Sequence, residues 1–242
     1  MASTVFGKNM LDGVRLLSLD AMNTVIKLKQ SVGEIYASFA RTEGVECSSD
    51  LLSEAFRVNF AKMSSAQPCY DFMGKGSRHW WYQLIQKCFE NITNDRVWID
   101  KVAGKLYEHF ATTKPWRLVD EEVTSILRYV RNCGIRVVII SNFDYRLRSI
   151  LTGFDVSSLV DLMLLSGETG VEKPDPVVFW MAAKHFNVLN MKEVLHIGDS
   201  YEKDFSAARA AGARSLLFTN KCNNLISSEN IISSLLDLKN QC

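Results

Sequence analysis

Leu16-Leu17-Ser18-Leu19-Asp20-Ala21-Met22-Asn23-Thr24 is the stretch on which the reading of this chain turns. An apolar run over residues 14–19 ends at a carboxylate and passes into a short polar loop. A strand apolar on successive rather than alternate residues is buried on both faces, as in a parallel sheet. Four further runs of this kind lie at 135–140, 160–165, 193–198 and 214–219. Segments of helical period separate them. Val123, Ile126, Leu127 and Val130 mark one helix, stopped by Gly134. Asp175 caps and Pro176 opens another that runs through His185. Phe205, Ala208 and Ala211 mark a third, ending at Gly212. This alternation predicts an α/β fold, a doubly wound parallel sheet covered by helices on both faces.

Between the first two strands the rhythm breaks. Val32, Ile35, Tyr36 and Phe39 form one helical stripe, and Leu52, Ala55, Phe56 and Phe60 a second. Trp80, Trp81, Leu84, Ile85 and Cys88 form a third, and Pro115 with Trp116 marks the return to the core. Roughly eighty residues of helix are too long for a single crossover connection. They predict a helical cap over residues 29–113, inserted into an α/β core made of 1–28 and 114–242. A length of 242 residues suits one core with a sizeable insertion.

Composition excludes several classes of partner. Hydrophobic residues make up 47% and charged ones 23%, the mix of a packed globular protein. Lys and Arg number 28 against 27 Asp and Glu, so no overall field recruits nucleic acid or a membrane surface. No stretch approaches the roughly eighteen apolar residues a membrane span needs. Residues 1–12 lack the apolar core of a leader. Cys47, Cys69, Cys88, Cys133, Cys222 and Cys242 form no Cys-x-x-Cys pair, which suits free thiols in the reducing cytoplasm or nucleus. The expected partner is a small-molecule substrate. The sequence carries no signal for oligomeric state.

Three strand ends carry chemistry. The first ends at Asp20, the second at Ser141-Asn142, and the fourth at Gly198-Asp199 with Asp204 five residues on. In an open parallel sheet the carboxyl ends of the strands line one crevice, so these residues are expected to converge. Lys173 lies on the loop before the Pro176 helix, within reach of the same crevice. A carboxylate there can attack phosphorus or carbon and form a covalent intermediate. Several carboxylates around one point repel each other unless a cation neutralises them, and Mg²⁺ suits such oxygen ligands. Hydroxyl and ammonium groups then bind the oxygens of the transferring group. Taken singly, each residue is ordinary: a helix cap, a turn, a solvated lysine. Their order along the strand ends gives them weight.

With these motifs the chain resembles the haloacid dehalogenase-like hydrolases. The resemblance spans Leu16 to Leu217. It implies that Asp20 is the nucleophile, Thr24 the hydroxyl four residues later, Ser141 the second motif and Lys173 the third. Asp199 and Asp204 match the acidic fourth motif of the phosphatases, and the helical insertion looks like a C1-type cap. A Mg²⁺ ion held by Asp20, the Met22 carbonyl, Asp199 and Asp204 follows, with a small phosphorylated substrate. Asn142 and Arg78 are the candidate substrate contacts.

The sequence departs from the family at one position. Phosphatases of this kind carry a second Asp two residues after the nucleophile, as general acid and base, a role worth about 10²–10⁴ in rate. Here the position is Met22, which delivers no proton. Three readings stay open. The first is a slow Mg²⁺-dependent phosphatase, with Asp144 or His79 as a substitute acid. The second is a metal-independent carbon–halogen hydrolase, since halide needs no proton on leaving. The third is a degenerate member that binds a phosphorylated ligand or protein without turnover. A two-component receiver domain is excluded, because its acidic pair comes first and its phosphoacceptor later.

Overall fold

Leu16, Leu17 and Leu19 of β1 (Leu16–Leu19) are all fully buried, because helices cover both faces of the sheet they enter. The computed structural model describes residues 10–220 and 226–239. Residues 1–9, Cys222 and Cys242 of the sequence reading lie outside them.

After β1 the chain forms β2 (Ile26–Leu28) and then five helices. These are α1 (Val32–Thr42), α2 (Ser49–Ala66), the short α3 (Pro68–Asp71), α4 (Gly76–Phe89) and α5 (Arg96–Phe110). It returns through β3 (Trp116–Leu118), α6 (Val123–Asn132), β4 (Arg136–Ser141), α7 (Arg146–Gly153) and β5 (Leu162–Leu165). The remainder is α8 (Ser166–Thr169), α9 (Val177–His185), β6 (Val194–Gly198), a π-helical turn (Tyr201–Ser206), α10 (Ala207–Ala210), β7 (Arg214–Phe218) and β8 (Ile231–Ile232).

Six strands form one parallel sheet in the order β5-β4-β1-β6-β7-β8. Alternate residues of each strand face opposite layers. Leu17, Leu19, Val137 and Ile139 join the buried faces of α6 and α7. Leu16, Val138 and Ile140 join Val178, Phe179 and Ala182 of α9 and Ala207 and Ala208 of α10. The fold is thus the doubly wound α/β core the apolar runs predict.

A separate cluster forms inside the insertion. Tyr36, Leu52, Trp80, Leu84, Phe89, Val102 and Leu106 are buried against one another, with Leu28 and Phe110 packed at its boundary with the core. The antiparallel pair β2–β3 joins the insertion to the sheet-bearing part. Helix α9 begins at Val177, with Asp175 Oδ1 accepting from the Val177 N–H at 2.9 Å.

Candidate active site

Register decides which residues meet. Leu19 lies opposite Ile139 on one side and Ile197 on the other, so Asp20, Ser141 and Asp199 leave the sheet at one edge. The Asp20 N–H donates to the Ile197 carbonyl at 2.9 Å, which fixes the start of the loop. That loop is tight: the N–H groups of Val25 and Ile26 both donate to the Ala21 carbonyl, and Asn23 takes a positive φ of 57°. Asparagine tolerates this left-handed backbone better than most side chains.

Lys173 is the hub. Its Nζ donates to Asp20 Oδ1 at 2.7 Å and to Asp204 Oδ1 at 2.5 Å, and it is 2% exposed. Asn142 holds the lysine's backbone at both ends of its amide, Nδ2 donating to the Lys173 carbonyl at 2.7 Å and Oδ1 accepting from its N–H at 2.8 Å. Behind Asp204 lies His196, whose Nε2 is 3.0 Å from Asp204 Oδ1 and whose Nδ1 is 2.9 Å from Ser18 Oγ. The Ser200 N–H donates to Asp204 Oδ2 at 2.9 Å. Asp199 is exposed, its Oδ2 accepting from Asn23 Nδ2 at 3.0 Å. Carboxylate oxygens of Asp20, Asp199 and Asp204 lie within 4.8 Å of one another.

Burial sets the electrostatics. It pushes the Asp20 carboxyl up to about 6, with the Lys173 ammonium pulling the other way and Asp204 adding to the rise. Burial also works against charge on Lys173, yet Asp20 and Asp204 outweigh it and hold the ammonium protonated. Asp204 lies below the usual carboxylate range because Lys173 and His196 more than offset its burial. Burial depresses His196, which favours a neutral imidazole as donor to Asp204.

The remaining candidates fall into different places. Thr24 is fully buried, and its Oγ1 has no hydrogen-bond partner among the described residues. Ser141 is buried at the end of β4. Met22 forms part of the wall of a cavity between the core and the helical insertion. Arg78 is exposed on α4, its guanidinium 5.7 Å from the Tyr82 ring centre, in a groove it shares with Lys75 and His79. None of the three clustered carboxylates lines that groove.

Neither substitute acid is free for the task. Asp144 is fully buried, accepting from Arg146 Nη2 at 2.7 Å and from Trp81 Nε1 at 2.5 Å. Its role is an ion pair under the cavity. His79 belongs to the groove of Arg78, apart from the carboxylate cluster. Sequence reasoning also missed His196 and Arg146. A histidine two residues before Gly198 in a buried strand was the available signal for the first. The second had none, because an Arg two residues after an Asp is unremarkable until both are buried.

A haloacid dehalogenase-like hydrolase family model matches residues 14–212. Haloacid dehalogenase-like hydrolase domain-containing protein 3 of Bos taurus is 35% identical over 207 residues, covering 84% of this chain and 81% of the relative. Among solved structures, a 2-haloacid dehalogenase from Pseudomonas syringae superposes with a TM-score of 0.65 at 17% identity, over 93% of this chain and 96% of that one. A HAD phosphatase from Thermococcus onnurineus gives 0.65 at 16% identity, with coverage of 93% and 96%. A HAD-hydrolase of Bacillus subtilis bound to magnesium gives 0.67 at 14%, again over 93% and 96%. At such identities the structures share the fold, while the family model and the bovine relative match the sequence itself. The chain belongs to the haloacid dehalogenase-like hydrolase family.

Proposed function

We propose that this protein is a Mg²⁺-dependent phosphatase acting on a small phosphorylated substrate through an aspartyl-phosphate at Asp20. One observation carries the reading: a buried Lys173 ammonium between Asp20 and Asp204, with Asp199 completing a set of three carboxylates. Hard oxygen donors in this number fit Mg²⁺. Asp204 already accepts from Lys173, His196 and the Ser200 N–H, so Asp20, Asp199 and the Met22 carbonyl would hold the ion with Asp204 supporting it. When bound, Mg²⁺ neutralises negative charge on the phosphoryl oxygens.

The chain's own groups supply the rest. Asp20 attacks phosphorus, and the bond from phosphorus to the leaving oxygen breaks with its electron pair going to that oxygen. Water then attacks phosphorus, the Asp20–phosphorus bond breaks, and inorganic phosphate leaves with the carboxylate restored. Lys173 stabilises charge on the transferring group, assisted by the hydroxyls of Ser141 and Thr24. Asn142 acts one step back, by fixing the Lys173 backbone. The helical insertion serves as the cap that selects the substrate. Met22 gives the leaving oxygen no proton, so turnover is slow on poor leaving groups.

Met22 also favours a second reading, carbon–halogen hydrolysis, in which the leaving halide needs no proton. Two further carboxylates beside Asp20 add nothing to a metal-free displacement, and this weighs against it. An activated aryl phosphate, assayed with and without Mg²⁺, separates the readings. Slow Mg²⁺-dependent turnover is expected, with none in Asp20→Asn. Met22→Asp is expected to be faster by about 10²-fold on poor leaving groups. A wild type inert toward that easy substrate sinks the phosphatase reading. Halide release from a haloacid would then support the second reading, and metal binding without any turnover a degenerate binder.

A further inference from the structure

The cavity that Met22 walls has a volume of about 210 Å³ and lies where the insertion meets the core. Its remaining core residues are Leu28, Trp116, Asn142, Phe143 and Arg146, so its core side is built in part by the loops that follow Asp20 and Ser141. Eight of its 13 lining residues are aromatic. Tyr70 and Trp81 lie nearly parallel, with ring centres 5.7 Å apart and planes at 24°, and Phe56 and Trp81 at 6.4 Å and 18°. These walls are flat and apolar.

Of the polar groups that line the cavity, all but the Tyr36 hydroxyl are already spent. Arg146, the only charged residue in its lining among the described residues, gives Nε and Nη2 to Asp144 and lies over the rings of Trp81 and Tyr107 at 4.8 and 4.3 Å. Both ends of the Asn142 amide bind the Lys173 backbone, and the Tyr70 hydroxyl donates to the Asn142 carbonyl. The indole N–H groups of Trp81 and Trp116 donate to Asp144 and to the Phe110 carbonyl. A polyhydroxylated or second anionic group placed here would be stripped of water with almost nothing to bond to. A ring would meet faces of its own kind.

Resting on the phosphatase reading, we infer that the cavity seats the leaving group, and that the substrates are small aryl phosphate monoesters with an uncharged aromatic body. Size agrees: an apolar cavity of about 150 Å³ takes up benzene, so one of this volume takes a substituted or fused ring. Met22 agrees on two counts. Its thioether makes favourable contacts with aromatic rings. An aryl oxide also leaves without help, because a phenol such as that of tyrosine ionises near pKa ~10, against about 15.7 for water. The residue that removes the general acid thus also builds the wall for the leaving group that does not need one.

The test uses the full chain with Mg²⁺ and compares 2-naphthyl phosphate with 4-carboxyphenyl phosphate, whose aryl oxides leave with similar ease. Acetyl phosphate serves as a small reference substrate. The expected result is a kcat/KM at least about tenfold higher for the naphthyl ester, the factor of one buried charge poorly accommodated. In Val32→Phe, which fills the cavity, the ratio of naphthyl to acetyl phosphate turnover should fall by a similar factor. Should that variant fail to fold, 2-naphthol is titrated into the wild type, where it should quench tryptophan fluorescence and compete with the naphthyl ester. Equal rates for the two aryl esters, or no binding of 2-naphthol, overturns the inference and leaves the phosphatase reading intact. Absence of turnover on acetyl phosphate as well overturns the phosphatase reading itself, and the inference falls with it.

Discussion

At Gly198, an added Cβ would sit 2.2 Å from Asp204 Cγ, so the side chain of Asp204 occupies the space this glycine leaves. The Gly-Asp pair at the end of β6 therefore has two functions: the Asp faces the crevice, and the Gly lets a second Asp fold against the strand. Gly198→Ala is expected to push Asp204 off Lys173 and lower Mg²⁺-dependent turnover by about 10²-fold, the cost of a displacement near 1 Å. Circular dichroism should be unchanged; wild-type activity in a folded variant would refute this. Asp20 supports a prediction on pH. Its carboxyl is raised to about 6 in the metal-free protein, and only the carboxylate takes up a cation. Mg²⁺ affinity should thus be level above pH 6 and fall by about tenfold per unit below it, with uptake of the ion releasing a proton. Calorimetric titrations at pH 7.5 and 5 in buffers of different ionisation heat would read both effects, and a flat profile would count against Asp20 as a ligand. At this scale the meeting of Asp20, Asp199, Asp204 and Lys173 was legible, because the strand ends and the loop before the Pro176 helix lead to one sheet edge. The partners that orient them, His196 and Ser18, were not, since both are ordinary strand residues until the sheet sets them side by side.

The loop between β4 and α7, with the first residue of α7, joins core and insertion. Within 142–146, Asn142 accepts from Tyr70 of α3, Asp144 from Trp81 of α4, and Arg146 Nη1 donates to the Tyr107 carbonyl of α5 at 3.4 Å. Tyr145 adds a hydroxyl contact to Tyr107 at 2.6 Å. Three helices of the insertion are thus tied to five consecutive residues, and the Asp144–Arg146 pair at the centre is almost fully buried. Removing one charge of such a pair leaves the other uncompensated, at a cost of about 3–5 kcal/mol. Asp144→Ala should lose that much stability in denaturant unfolding. The double variant Asp144→Ala, Arg146→Leu should recover most of it, and a single variant as stable as wild type would contradict the account. The five main strands were legible from their apolar runs. The β2–β3 ribbon was not, because strands of three residues are too short to show a period. Nor was the π-helical turn at 201–206, where Asp204 and Phe205 both donate their N–H to the Ser200 carbonyl.

The whole molecule holds separate apolar cores. One lies on each face of the sheet, and a third is enclosed within α1–α5, where Leu84 is fully buried. Leu28 and Phe110 pack against both the insertion's cluster and the core's, and the aromatic cavity lies between the two, lined by residues of each. A boundary interrupted by a cavity transmits less packing energy than a continuous core, because the atoms around a void lack partners on one side. Cooperative units follow such boundaries, so the insertion should open at a lower free energy than the sheet. Leu84→Ala tests this. Truncating a buried leucine costs about 2–5 kcal/mol, and here the loss falls wholly within the insertion's cluster. Amide exchange should accelerate across residues 32–110 and stay slow in β1, β4 and β6. Mg²⁺ binding should survive, because Asp20, Asp199 and Asp204 all belong to the sheet-bearing part, whereas discrimination among substrates should be lost. Uniform acceleration in both parts would instead mean that the molecule unfolds as one unit, with the contacts of the 142–146 loop strong enough to couple the two despite the cavity between them.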